Sequence, residues 1–289
     1  MSFEPLPAIE TECTMFASPD GDDSASGDFA APFHTAQRLV AMLRPGDVGC
    51  LRAGTYVEDV QIDDTKSGLV LRSANGEQAI VRGSMLVVGN DVTIRGLDLT
   101  GGVACLTIGR RDLSQPPTER VHVEANRIYG CTMDGIYVTN ATDTRLSGNT
   151  IFGASTNGIE LYPSAQRSIV DRNVADGNGT NVIIGGNEGE ATSDSLVHHN
   201  VLSNATAGYN VDSYFLAAPI GTNNVVRDNC VWTTNMAYAP EQGGIEPPPG
   251  RMGFEAAPGD NFVLDPAYVD PGAMNFTPTN ETCAALLLP

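Results

Sequence analysis

Basic residues are scarce in this sequence. Lys66 is the only lysine, and lysine and arginine together number 16 against 35 aspartates and glutamates, which gives a formal net charge of −19. A protein that binds nucleic acid needs a basic face for the phosphate backbone, so we expect no nucleic-acid partner. The same acidic surface repels acidic polysaccharides unless calcium or a cluster of arginines intervenes. This charge balance is typical of a protein that stays soluble in a salty or extracellular medium.

Long apolar runs are also missing. No stretch of about 18 apolar residues occurs, so we expect no membrane-spanning helix. The first residues, MSFEPLPAIETEC, contain neither the basic nor the apolar region of a signal peptide. We therefore expect that any secretion leader is not present in this chain.

The cysteines form no CxxC pair, which argues against a zinc site and against a thioredoxin-like redox motif. The six cysteines are Cys13, Cys50, Cys105, Cys131, Cys230 and Cys283. Disulfides are the better interpretation, with Cys13 and Cys50 stapling one end of the fold and Cys230 and Cys283 the other. Because disulfides persist in oxidising compartments, we expect an extracellular, secreted protein.

Turn-forming residues, in contrast, are abundant. The 31 glycines and 18 prolines are typical of a chain that turns often and forms few long helices. A short phrase centred on asparagine recurs as ANRI, GNTI, RNVA, HNVL and DNCV. Its asparagines are Asn126, Asn149, Asn173, Asn200 and Asn229, at spacings of 23, 24, 27 and 29 residues. Repeats of this period are typical of stacked-coil folds.

A second apolar phrase follows each of the first four asparagines: GIYV from 135, GIEL from 158, NVII from 181 and GYNV from 208. Apolar residues alternate in both phrases, as Ile136 and Val138 do, and this period of two predicts strands with one buried face. Short strands that return to the same corner predict an all-β fold, a parallel β-helix with coils about 4.8 Å apart. The asparagines should form an amide ladder along a corner with left-handed backbone.

Both ends of the chain predict caps. FHTAQRLVAMLRPGD has apolar residues at Leu39, Val40 and Leu43 behind an N-cap candidate, Thr35, which predicts a short amphipathic helix. Residues 236–260 are rich in proline and glycine and predict a long irregular loop. We expect a single domain with an N-terminal cap over 1–46, coils over 47–235, and a loop with a C-terminal cap over 236–289.

The opening FASPDGDDSASGDFAAPFHTAQ, followed by LRPGDVGCLRAGTYVEDVQI, resembles the N-terminal part of secreted right-handed parallel β-helix proteins of the pectate-lyase-like superfamily. The GIYV and GIEL phrases with SGNTIFG are similar to the carbohydrate-binding and sugar-hydrolase repeats of that superfamily, and LDPAYVDPGAMNFTPT is similar to the end of many of its members. The resemblance spans nearly the whole chain and implies a right-handed parallel β-helix. It does not select a reaction, because the superfamily contains lyases, hydrolases, epimerases and non-catalytic members.

Stacking places equivalent residues of successive coils in columns on one exposed face. We expect one outward column to run Tyr137, Glu160, Ile183, Asn210, and the column two residues later to run Thr139, Tyr162, Gly185, Asp212. The rings of Tyr137 and Tyr162 suit sugar stacking. The amide of Asn210 and the carboxylate of Asp134, at the edge of its coil, complete the predicted substrate-binding set.

Glu160 and Asp212 are the candidate catalytic carboxylates. They lie two coils apart, which separates their backbones by about 10 Å, and leaning side chains could shorten this to the ~6.5–9.5 Å of an inverting glycosidase. Two solvated carboxylates on an acidic protein are the simpler alternative. Together with Asp134 the pair could bind calcium, although the spacing does not select that ion.

Elimination is the other candidate reaction, and it needs a base and a positive charge that stabilises the developing enediolate. Members of the superfamily that catalyse it commonly use lysine or arginine, whereas Lys66 lies in an early turn. Arg167 is the candidate base for an arginine-dependent lyase. His198 is a further candidate base, because Asp171 in its column should raise its pKa toward neutrality.

The motifs that the superfamily's galacturonan hydrolases carry, paired aspartates with Gly-His-Gly and Arg-Ile-Lys, are absent. The sequence therefore predicts a polysaccharide-active protein that cleaves a glycan by hydrolysis or elimination. A non-catalytic carbohydrate-binding or surface scaffold protein is the alternative. We expect a polysaccharide or oligosaccharide partner, with calcium as the one candidate cofactor.

Overall fold

The chain forms a right-handed parallel β-helix of about seven turns. The computed structural model describes residues 12–187, 189–215, 220–247, 253–257 and 259–288. Each coil passes through up to four stacks of strands, which we number 1 to 4 in chain order. This architecture confirms the predicted all-β fold with a helical N-terminal cap and an irregular C-terminal cap.

Stack 1 is a nine-stranded sheet, and stacks 2 and 3 share a second sheet. Stack 1 contains Met15–Ala17, Val48–Leu51, Val70–Ser73, Thr93–Arg95, His122–Glu124, Arg145–Ser147, Ile169–Asp171, Leu196–His198 and Val225–Arg227. Stack 2 contains Gly54–Val57, Arg127–Tyr129, Thr150–Phe152, Val174–Asp176, Val201–Ser203, Cys230–Trp232 and Phe262–Val263.

Stack 3 carries the face that concerns function. It contains Val60–Ile62, Ile136–Val138, Asn157–Leu161, Thr180–Asn187 and Val211–Phe215. The long strands Ala79–Val87 and Asp98–Ile108 run through stacks 2 and 3 and join them. Stack 4 contains Thr118–Glu119, Ala141–Thr142 and Ala165–Gln166, and Glu190–Ala191 pairs antiparallel with the end of the stack 3 strand Thr180–Asn187.

Short helices and one hairpin complete the chain. The α-helices are Ala36–Met42 and Glu281–Leu286. The 3-10 turns are Asp64–Lys66, Met236–Tyr238, Pro240–Gln242 and Pro271–Ala273. Tyr268–Asp270 pairs antiparallel with Asn275–Pro278 near the C-terminus. No helix within the described residues is both long and apolar enough to cross a membrane.

The core follows from the alternation of apolar residues. Within stack 3, Ile136, Ile159, Val182 and Val211 stand in register on successive coils and are fully buried. Removing apolar side chains from water at every coil is the main favourable term in such a fold. The intervening residues of the same strands point outward, so the coil register decides which side chains share the exposed face.

The predicted asparagine ladder is present. In each coil the side-chain Oδ1 accepts hydrogen bonds from both the backbone N–H and the Nδ2 of the asparagine in the preceding coil, at 2.8–3.1 Å. Asn261, which the repeat did not reveal, extends the ladder beyond Asn229. The left-handed backbone lies on the residue before each asparagine: Ala125, Gly148, Arg172, His199 and Asp228.

The N-terminal helix forms where the sequence predicts it, with Thr35 as the N-cap. The carboxylate of Glu58, from the first coils, accepts the N–H groups of Ala36 and Gln37 at 2.8 and 3.0 Å. At the other end, Lys66 Nζ donates to the carbonyls of Ala41 and Leu43 at 2.6 and 3.0 Å. The negative charge of Glu58 at the N-terminus of the helix and the positive charge of Lys66 at its C-terminus both interact favourably with the helix dipole, and they hold the cap against the coils.

Three disulfides reinforce the coils. Cys13–Cys50 and Cys230–Cys283 staple the two ends as predicted. Cys105–Cys131, for which the sequence offered no pairing, joins neighbouring coils in the middle of the stack. Each crosslink stabilises the native state mainly by limiting the freedom of the unfolded chain.

We expect Asn173→Ala to lower the free energy of unfolding by at least ~3 kcal/mol. Asn173 is fully buried, accepts two hydrogen bonds from Asn149 and donates to Leu146 O and Asn200 Oδ1. Its removal leaves buried backbone groups without partners. Denaturant unfolding measures the loss, with Asn275→Ala on the exposed C-terminal hairpin as a control expected to cost less than ~0.5 kcal/mol. Equal effects of the two substitutions would contradict a stabilising ladder.

Candidate functional site

A cleft of about 280 Å³ opens on the outer face of stack 3. Its walls include Arg111, Asp134, Tyr137, Glu160, Tyr162 and Asn187. Tyr137 and Glu160 are register partners on adjacent strands, so both side chains project from the same face. Arg111 comes from the segment 109–117, which is held against the corner by Asn140 Nδ2 donating to Gln115 O at 3.0 Å.

The outward column differs from the prediction in its last coil. The register runs Tyr137, Glu160, Ile183, Asp212, so Asp212 takes the place that the sequence assigned to Asn210. The alignment of the fourth phrase is two residues too early, because its strand begins at Val211 and not at 209. Glu160 and Asp212 are consequently in one column with a single strand between them.

The prediction that Asn210 binds substrate is therefore wrong. It is fully buried, and its Nδ2 donates to the carbonyls of Trp232 and Gly243 at 2.9 and 3.0 Å. Its Oδ1 accepts from Asn181 Nδ2 at 2.8 Å. The amide thus belongs to a second internal ladder, in which Asn178 donates to Asn181 and Asn181 to Asn210.

Asp134 and Glu160 form a close carboxyl pair at the base of the cleft. The two carboxyl groups hydrogen-bond to each other, and Asn157 Nδ2 donates to Asp134 Oδ1 at 3.0 Å and to Glu160 Oε2 at 3.3 Å. Burial, followed by the charge of Asp134, raises the pKa of Glu160 to about 7. Two adjacent carboxylates cannot both ionise easily, so Glu160 holds the proton that the pair shares near neutral pH.

A second carboxyl pair lies at the far end of the same column. Ile245 forms a parallel bridge with Val211, which brings Glu246 beside Asp212. Ser213 N–H donates to Asp212 Oδ1 at 2.8 Å, and Ser213 Oγ donates to Glu246 Oε2 at 2.5 Å. Burial raises the pKa of both carboxyls, while the backbone N–H groups of Ser213 and Tyr209 favour the ionised form of Asp212.

Sequence reasoning missed Glu246 because it lies in the segment 236–260, which was predicted to be an irregular loop. The signal was present: GIE at 244–246 repeats the GIE at 158–160. The structure shows that this part of the segment continues the coil, since Asn210 N–H donates to Gly244 O and Glu246 N–H to Val211 O.

Aromatic rings flank the first carboxyl pair. The guanidinium of Arg111 lies 5.4 Å from the centre of the Tyr137 ring. Tyr162 donates its hydroxyl hydrogen bond to Asn187 Oδ1, and its ring centre is 5.8 Å from that of Tyr214. Tyr214 is 48% exposed, so an aromatic surface continues outward from the cleft.

His198 and Arg167 lie elsewhere. His198 is in stack 1, in register with Asp171 as expected, but burial lowers its pKa to about 4, and the opposing effect of Asp171 does not overcome this. The prediction of a pKa near neutrality is therefore wrong. Arg167 is at the stack 4 corner, where it forms an ion pair with Asp143 at 2.8 Å. Neither side chain lines the cleft.

The three carboxylates considered for calcium are not grouped. Asp134 and Glu160 are in contact, but one strand separates Glu160 from Asp212. Across the described ranges, no three histidine, cysteine, aspartate or glutamate side chains come together in a way that could hold a metal ion.

We expect Glu160→Gln to change how stability depends on pH. In the wild type the pKa of Glu160 is about 7 in the folded state, against 4.5 ordinarily. The folded state therefore binds the proton more tightly than the unfolded state does. The stability that this proton contributes is fully present below about pH 4.5 and is lost as pH rises to about 7. The variant lacks this loss, so its stability relative to wild type should rise by on the order of 2 kcal/mol across that window. Thermal unfolding from pH 4 to 8 measures it, and parallel curves would contradict the assignment.

Comparison with known proteins agrees with this architecture. The family model described as "right handed beta helix region" matches residues 52–246. A pectate lyase, PEL9 of Emericella nidulans, is 39% identical over 77 residues, which are 25% of this chain and 19% of that protein. The chain thus spans about a fifth of the length of this curated relative.

Two solved structures have a similar fold. The pectate lyase Pel9A superposes with a TM-score of 0.59 at 15% identity, covering 98% of this chain and 88% of that one. An alginate lyase from Paenibacillus sp. str. FPU-7 superposes with a TM-score of 0.55 at 18% identity, covering 70% of this chain and 74% of that one. The match over residues 52–246 shows that the chain belongs to the right-handed β-helix family.

Proposed function

We propose that this protein hydrolyses a polysaccharide, with Glu160 as the general acid and Asp212 as the general base. The observation that carries the proposal is the presence of two Asp–Glu pairs, Asp134–Glu160 and Asp212–Glu246, on the exposed face of stack 3, with Glu160 and Asp212 in one column. Aromatic rings border this column, as they do in many sugar-binding clefts.

Glu160 suits the role of acid. Its pKa of about 7 keeps a substantial fraction protonated at neutral pH, and a catalytic acid works best when its pKa is near the working pH. In this role Glu160 gives its proton to the leaving glycosidic oxygen as the C–O bond breaks. Asp134, hydrogen-bonded to it, stabilises the protonated form through its own charge.

Asp212 suits the role of base. Burial raises the pKa of Asp212, but two backbone N–H groups and the Glu246 carboxyl donate to it, and each of these hydrogen bonds favours its ionised form. Two strand spacings separate the backbones of Glu160 and Asp212 by about 10 Å. This leaves room for a water molecule between the carboxyls, which takes the place of the leaving group as it loses its proton to Asp212. Side chains that lean toward each other would bring the two carboxyls to the ~6.5–9.5 Å of an inverting hydrolase.

The substrate class follows from the rings and the charge. Tyr137 and Tyr162 offer faces on which sugars stack. The net charge of −19 disfavours densely acidic polymers, so we propose a neutral or weakly acidic glycan. Three disulfides support an extracellular location, where such polymers occur.

Elimination is the second candidate. It is supported by Arg111 and by the similarity to a pectate lyase and an alginate lyase. Within the described part of the chain, Arg111 forms no ion pair, and its guanidinium faces the cleft beside Tyr137. It could stabilise a carboxylate of an acidic sugar. Lys66 cannot serve as the base, since its ammonium is bound to the end of the N-terminal helix.

The test is a panel of neutral and acidic polysaccharides assayed for new reducing ends and for the ultraviolet absorbance of unsaturated products. We expect new reducing ends without that absorbance. Glu160→Gln and Asp212→Asn should each lower turnover by about 10²–10⁴-fold with the fold retained by circular dichroism. Lys66→Ala, remote from the cleft, is the matched control and should keep its turnover.

Two outcomes would contradict hydrolysis by this pair. Absorbance that Arg111→Ala abolishes would assign elimination. Binding of a glycan without cleavage, weakened by Tyr162→Ala and unaffected by Glu160→Gln, would assign a carbohydrate-binding protein.

A further inference from the structure

Asn157 stands between the two carboxyls of the first pair, although neither repeated phrase marks it as functional. It begins the stack 3 strand Asn157–Leu161, 23 residues after Asp134, and is 7% exposed. The stacking of coils therefore places its amide directly beside the carboxyl of the preceding coil, while Glu160 follows on its own strand.

The hydrogen bonds of Asn157 differ in kind from those of the ladder asparagines. Each ladder amide donates to a backbone carbonyl, as Asn173 does to Leu146 O. Asn157 Nδ2 instead donates to Asp134 Oδ1 at 3.0 Å and to Glu160 Oε2 at 3.3 Å. One amide nitrogen with two hydrogens thus bridges two carboxyls that also hydrogen-bond to each other.

We propose that Asn157 is the positioning residue of this site, holding Asp134 and Glu160 together so that the pair keeps one proton on Glu160. This inference rests on the proposed function, in which that proton passes to the leaving oxygen. The amide directs its hydrogens at one oxygen of each carboxyl and fixes those two oxygens as acceptors. The proton is then confined to the remaining Glu160 oxygen.

Few other groups act on the pair. Arg111 faces it from the segment 109–117, Tyr137 from the preceding strand and Tyr162 from the same strand as Glu160. The following strand presents Ile183, which carries no charge. Burial and Asp134 raise the pKa of Glu160, whereas Asn157 and Arg111 oppose the rise. Loss of the amide should therefore raise the pKa of both carboxyls.

The experiment is a titration of side-chain carboxyl carbons by ¹³C NMR in the full chain, with Glu160→Gln used to assign the signals. Asn157→Ala should move the midpoint of the pair upward by about one pH unit. Asn157→Ser, which keeps a hydroxyl donor, should move it less and serves if the alanine variant does not fold. Asn275→Ala, on the exposed C-terminal hairpin and away from the cleft, is the control and should leave the midpoint unchanged.

The alkaline limb of glycan cleavage should shift upward by the same amount in Asn157→Ala, because the acid stays protonated to higher pH. A midpoint identical to wild type in both Asn157 variants would overturn the positioning role. A shifted midpoint with no cleavage of any glycan would support the positioning role and contradict the proposed hydrolysis, so the two failures are distinguishable.

Discussion

The fixed register between coils is the constraint on which the rest of this molecule depends. A strand shifted by one residue would turn its buried face outward, and the asparagine ladder prevents this by binding each coil to the next through two hydrogen bonds. The left-handed residue before each asparagine sets the corner at which the chain turns into stack 2. The ladder therefore positions the outward column on stack 3 without touching it.

The column collects carboxyls that would repel each other if all were ionised. Burial raises the pKa of the glutamate in each pair, and the charge of the neighbouring aspartate raises it further, to about 7 for Glu160. Elsewhere on the acidic surface, carboxylates are paired with arginines, as Asp143 is with Arg167. Among the residues that the structure describes, neither pair forms an ion pair with an arginine or lysine, which distinguishes both pairs from the structural ion pairs of stacks 1 and 4.

Much of the fold was predictable because the same short phrases recur in successive coils, so that local sequence patterns indicate where the strands and corners lie. The spacing of the asparagines gave the coils, and Thr35 marked the start of the N-terminal helix. The site was less predictable, since it depends on small register changes. The strand at Val211 begins two residues later than its phrase suggested, which takes Asn210 inside and brings Asp212 into the column of Glu160. The low pKa of His198 depends on burial, which the order of residues along the chain does not show.

The most direct test of hydrolysis by Glu160 and Asp212 is the anomeric configuration of the first product. ¹H NMR recorded during cleavage of a glycan by the protein measures this configuration before the product mutarotates. Two carboxyls separated by one strand, which act on either side of a water molecule in the proposed reaction, predict inversion at the anomeric carbon. Retention of configuration would require a nucleophile within about 5.5 Å of the acid. It would contradict the assignment of Glu160 and Asp212 as the reacting pair.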